Sequence, residues 1–103
     1  MSDLSRAVFP EDPQPAACLG WVVRDRRAAL GLTQQEVAER SGLTTRSVGA
    51  IDRGLRSPVL PVLVRIARAL ETTHGALQEE VHQVLLRENA WYRAFMGDDP
   101  PDQ

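Results

Sequence analysis

Residues 33 to 52, Thr-Gln-Gln-Glu-Val-Ala-Glu-Arg-Ser-Gly-Leu-Thr-Thr-Arg-Ser-Val-Gly-Ala-Ile-Asp, decide the fold. Thr33 and Glu36 have the spacing of a capping box, in which a hydroxyl and a carboxylate reciprocally satisfy two free amides at a helix start. Val37 and Ala38 then face inward. Gly42 supplies the positive φ that lets the chain leave the helix abruptly. Thr44 caps a second helix two residues later, with Val48 and Ile51 at core spacing. The stretch therefore predicts two short helices joined by a tight turn, the second turning a small, polar side outward.

That geometry is a helix-turn-helix, whose second helix enters the major groove of DNA. Working outward, the same frame continues through Arg27-x-x-x-Gly31-Leu32-Thr33-Gln34, Glu36-Val37-Ala38, Gly42-Leu43-Thr44, Asp52-Arg53-Gly54, Pro58 and Ile66-Ala67-Arg68-Ala69-Leu70. In this order and spacing, residues 19 to 77 resemble the helix-turn-helix domain of the lambdoid phage repressors and Cro, the XRE-like family. The resemblance implies an all-α, five-helix lambda-repressor-like domain that binds double-stranded DNA, generally as a dimer, with no catalytic centre.

By that resemblance Gln34, at the start of the first motif helix, contacts phosphate, and Thr45, Arg46 and Ala50 occupy base-reading positions with Gly49 beside them. Arg46 is the candidate for a bidentate contact to guanine O6 and N7, and Ala50 for contact with a thymine methyl group. Gly49 and Ala50 leave little side chain for hydrogen bonding. Either the backbone approaches the DNA closely there, or direct readout is sparse and DNA shape matters more. Arg27 and Asp52 match a family ion pair between the first and third helices, with Asp52 one methylene shorter than the usual glutamate. Arg53 and Arg56, just past the recognition helix, read as phosphate contacts or as plain surface arginines. Ser47 contacts phosphate or stabilises its helix start.

The net charge of −2 is misleading as a guide to partners. Residues 18 to 56 carry seven arginines against four carboxylates, whereas the last six residues carry three aspartates and no cation. A small domain needs local positive potential to hold phosphates. The chain has no lysine, and guanidinium suits bidentate contacts, although a codon bias toward arginine produces the same composition. The single cysteine, Cys18, excludes an intrachain disulfide and reads as a small apolar residue near the first helix, with redox sensing as the lesser alternative. His74 and His82 lack the spacing of a helical metal site. No metal, cofactor or catalytic centre is expected.

Four segments follow. Prolines 10, 13 and 15 make residues 1–16 a flexible arm, residues 17–73 form the DNA-binding core, residues 74–97 an extended C-terminal helix, and residues 98–103 an acidic tail. The first helix is expected over 16–30 with Leu19, Val23 and Leu30 inside, the next three over 34–40, 45–53 and 60–71. In the last helix Leu77, Val81, Val84, Leu85, Trp91, Tyr92 and Phe95 recur at coiled-coil steps, interrupted by Glu88, and form an expected dimer interface. No apolar run is long enough to span a membrane and no signal segment is visible, so a cytoplasmic protein is expected. The leading reading is a transcriptional regulator, such as a repressor, acting as a homodimer on a palindromic operator. The alternative is an antitoxin-like interaction module whose C-terminal helix docks a protein partner, and a third is a scaffold that has lost DNA binding.

Overall fold

A computed structural model describes residues 13–96, in which six α-helices form and no strand does. They are α1 (Pro15–Ala29), α2 (Gln34–Ser41), α3 (Thr45–Asp52), α4 (Leu60–Ala69), α5 (His74–Glu88) and α6 (Ala90–Met96). The acidic tail and residues 1–12 of the expected arm lie outside the described residues.

Each start has a local cause. The Thr33 hydroxyl accepts from the Glu36 amide at 3.1 Å and the Glu36 carboxylate accepts from the Thr33 amide at 2.9 Å, completing the capping box. The bond from the Thr33 backbone, then that from its side chain, holds the Glu36 carboxyl below its ordinary range. The stability this contributes is present above the usual glutamate pKa and is lost as pH falls through the lowered value. Thr44 and Thr73 cap α3 and α5 the same way, at 3.0 and 3.1 Å. Pro15 and Pro61 sit in first turns, where the missing amide costs nothing. Gly42, at φ 74°, turns the chain from α2 toward α3.

The core is one cluster drawn from every helix up to α5, with Val22, Val23, Val37, Val48, Ile51, Ile66, Leu70 and Leu77 essentially sealed from solvent. Burying each contributes roughly 1.5–3 kcal/mol. Leu30 is an exception to expectation: it is 38% exposed, because α1 ends one residue earlier and Leu30 lies beyond its inward face. Helix α4 stops at Ala69 because Glu71 turns left-handed (φ 60°) and pairs with Arg40.

Two larger corrections concern the ends. Pro13 is buried, not part of a loose arm, and its carbonyl accepts from the Asn89 amide at 2.8 Å. The C-terminal helix is not continuous. Asn89 adopts an extended conformation, and its Oδ1 accepts from the Tyr92 amide at 2.7 Å, so it caps a new helix rather than continuing the old one. Arg93 then folds back, donating to the carbonyls of Leu86 and Arg87 that the break leaves open. Of the expected dimer stripe, Leu77, Val84 and Leu85 belong to the core of this chain itself, and Val81 and Tyr92 pack against it half-buried. Helix α5 crosses α1, which supplies the cover that one helix alone lacked. Trp91 and Phe95 remain 65% and 70% exposed, stacked at 5.0 Å between ring centroids.

Candidate nucleic-acid interface

The site is built from α2, α3 and the residues that follow α3. Its foundation is a buried carboxylate. Asp52, 2% exposed, receives Arg27 through Nε at 3.3 Å and Nη2 at 3.0 Å. Arg27 also donates Nη1 to the Leu32 carbonyl at 3.0 Å, so one guanidinium ties α1 to the loop before α2 and to the end of α3. The third donor to Asp52 is Gln34 Nε2 at 3.0 Å. The expected Arg27–Asp52 pair is therefore present, and it includes a residue assigned by resemblance to phosphate. Gln34 is half-buried at the start of α2, with one amide hydrogen spent inside the protein.

This network sets how α2 and α3 meet. Helix α1 reinforces it by lying directly on the end of α3: a Cβ on Gly20 would stand 2.8 Å from the Asp52 carbonyl oxygen and 2.9 Å from the Ile51 carbonyl oxygen and the Gly54 nitrogen. Gly20 was not legible as a site residue. The signal available was a glycine inside an otherwise helical run, which marks a close backbone approach only in some helices.

On the outer side of α3, Arg46, Ser47, Ala50, Arg53 and Arg56, with Leu55, line one open cleft of about 290 Å³. Thr45, Arg46, Arg53 and Arg56 are exposed; Ser47 and Ala50 are half-buried. Gly49 is different. It is buried, because the side chains of Gln34 and Arg53 close over it. Close approach of its backbone to DNA, one of the two readings open from sequence, does not fit this geometry. Leu55, 72% exposed beside the arginines, is a member of the cleft that sequence reasoning missed.

Three arginines in one open cleft, with the amino ends of α2 and α3 nearby, make a surface suited to a polyanion. Elsewhere several cations are engaged within the protein, although Arg65 and Arg68 line a separate open cleft with Arg40. Arg26 pairs with Glu80 at 2.7 Å and Arg40 with Glu71 at 3.2 Å; exposed pairs of this kind contribute about 0–1 kcal/mol. Arg24 lies over the Trp21 ring, 4.2 Å from its centroid. Cys18 is fully buried, and burial, followed by the charge of Glu88, pushes its thiol up to about 11. That suppresses the thiolate a redox sensor needs. Among the described residues no cluster of histidine, cysteine and carboxylates has the makings of a metal site, and no helix is long and apolar enough to cross a membrane.

Residues 23–77 match the helix-turn-helix family. The chain is 47% identical over 53 residues to a helix-turn-helix-type transcriptional regulator of Methanothermobacter thermautotrophicus, a match covering 52% of this chain and 77% of that one. Among solved structures, the clp gene regulator ClgR from Corynebacterium glutamicum is similar at a TM-score of 0.70 and 24% identity, over 84% of this chain and 92% of that one. The restriction-modification controller protein C.Esp1396I, solved as a tetramer in complex with its natural 35 base-pair operator, is similar at a TM-score of 0.64 and 24% identity, over 70% of this chain and 95% of that one. The two structural likenesses establish the fold. This chain spans between 25% and 77% of the length of the curated relatives it matches.

Proposed function

This chain belongs to the helix-turn-helix family of DNA-binding transcriptional regulators, and from that premise we propose that it acts as a homodimer on a palindromic operator, blocking or recruiting polymerase from the cytoplasm. The observation that carries the reading is the arginine-lined cleft on α3, held in place by the Arg27–Asp52–Gln34 network. In this reading Arg46 takes a guanine edge, Thr45 and Ala50 touch neighbouring bases, and Ser47 and Arg56 hold phosphates. Gln34 offers phosphate its second amide hydrogen. Selection of duplexes from random DNA tests the reading: an enriched inverted repeat supports it, and no enrichment would leave a scaffold that has lost DNA binding.

Arg46→Ala should lower affinity for the selected site by about 1–3 kcal/mol and relax the preference at one base pair per half-site. Arg56→Ala should weaken all sequences alike and flatten the salt dependence by about one counterion. Binding titrations on matched and mismatched duplexes at several salt concentrations separate the two. If Arg46→Ala acted on every sequence equally, its place in base readout would be lost.

The proposed dimer contact is the outer face of α6, where Trp91, Phe95 and Met96 present apolar surface to solvent. Aromatic side chains carry large buried areas at about 25 cal/mol per Å², and a two-fold pairing would set the recognition helices for successive major grooves about 34 Å apart. Replacing Trp91 and Phe95 together with serine should yield a folded monomer that binds half-sites poorly, read by sedimentation and by DNA titration. A variant that still sediments as a dimer would move the contact elsewhere. A wild-type chain that is monomeric alone and dimerises only through another protein would favour the antitoxin-like alternative.

A further inference from the structure

We infer that Arg53 reads sequence, laying its guanidinium over the part of the α3 surface that Gly49 leaves bare; this rests on the operator-binding reading above. From its position just past the helix, Arg53 was expected to hold phosphate. The geometry points elsewhere. Arg53, the C-cap residue of α3, follows Gly49 by four residues and Thr45 by eight, so its side chain continues the stripe those two begin. Helical side chains lean toward the amino end of their helix and cover the turn before their own Cα. Arg53 therefore lies back along α3 rather than outward from its end. Its Nη1 is 3.1 Å from the point where a Cβ on Gly49 would stand.

Gln34 completes the seat. Its amide nitrogen is committed to Asp52 at 3.0 Å, which turns its carbonyl oxygen toward the same spot, 3.3 Å from that Gly49 point. The carbonyl oxygen and the guanidinium flank the same point without a hydrogen bond between them, and the oxygen is of the polarity a guanidinium favours nearby. No carboxylate among the described residues pairs with Arg53, and the side chain is exposed, so its donor fork stays open to a ligand. The two neighbouring positions that ought to read bases, 49 and 50, carry no side-chain donor or acceptor. A long planar guanidinium drawn in over them supplies the missing donors at the depth of the base edges, where guanine O6 and N7 accept a bidentate pair. Gly49 is in this sense a specificity determinant by absence, and Gln34 and Asp52 are positioning residues.

The test uses the full chain and selection from random duplex DNA, followed by titrations on the wild-type consensus and its single mismatches. Arg53→Ala should bind the consensus roughly tenfold to a hundredfold more weakly and become indifferent at one base pair per half-site beyond that assigned to Arg46. Its affinity for unrelated duplexes should change little. Gly49→Ala should produce the same indifference at the same base pair, because the new methyl displaces the guanidinium, while the melting temperature stays level or rises with the gain in helix propensity. The inference is overturned if Arg53→Ala weakens consensus and unrelated duplexes equally and lowers the salt slope by about one, the signature of a phosphate contact. It is also overturned if Gly49→Ala keeps the full wild-type preference. Failure of the wild-type chain to enrich any sequence would instead sink the operator reading itself, and this inference with it.

Discussion

Asp52→Ala should cost about 3–5 kcal/mol of folding stability, the loss expected when one member of a buried ion pair is removed and the other is left uncompensated. Asp52 is 2% exposed and its carboxylate is the shared acceptor for Arg27 and Gln34. Truncation leaves the Arg27 guanidinium, itself only 20% exposed, without its counterion. For a domain of this size each kcal/mol moves the melting temperature by about 4–8 °C, so a thermal melt reads the effect easily. Replacing both partners with apolar residues of similar volume, Arg27→Met with Asp52→Leu, should recover much of the stability, since the desolvation of two charges disappears together. DNA affinity should not return with it, because Gln34 and the seat it forms remain unanchored. A melt of Asp52→Ala within about 1 kcal/mol of wild type would show that the pair contributes little net.

Gly20→Val should destabilise the chain by an amount at the upper end of the about 1–3 kcal/mol that overpacking typically costs. Helix propensity alone favours the substitution, since glycine is among the poorest helix formers and valine is better by a few tenths of a kcal/mol. Packing decides the other way. The Cβ position is already 2.8–2.9 Å from backbone atoms of Ile51, Asp52 and Gly54, and backbone at the end of α3 cannot rotate aside as a side chain would. Helix α1 would have to lift off α3, opening the core at Val22, Val23 and Ile51 and tilting the recognition helix. Chemical denaturation should show a lower midpoint with an unchanged slope. A variant as stable as wild type would mean that α1 shifts freely on α3.

The helix-turn-helix was legible because its determinants are local. A capping box spans four residues, a left-handed glycine acts at one position, and the core pairs Val37–Ala38 and Val48–Ile51 each fall within a single turn. The ion pair of Arg27 and Asp52 was legible by resemblance alone, since 25 residues separate them. The C-terminal region was misread for a specific reason. Coiled-coil steps from Leu77 to Phe95 predict one continuous dimer-facing stripe, whereas Asn89 carries the chemistry of a helix cap, and its preference is satisfied only because Pro13 and Tyr92 present partners for its amide and carbonyl. Periodicity reports that a face is apolar and is silent on what covers it.

Sequence by itself determined the class of fold, the two motif helices with their caps and turn, the bare composition of the recognition face and the residues available to touch DNA. Tertiary structure alone decided that Leu77, Val84 and Leu85 are core and that Trp91 and Phe95 are surface, because burial depends on where α1 lies against α5. It likewise decided that Gly20 is a contact point and that Gly49 lies beneath Gln34 and Arg53. Caps and turns act over a few neighbouring residues and can be read along the chain. The room around an atom is set by segments distant in sequence, and it exists only once those segments have packed.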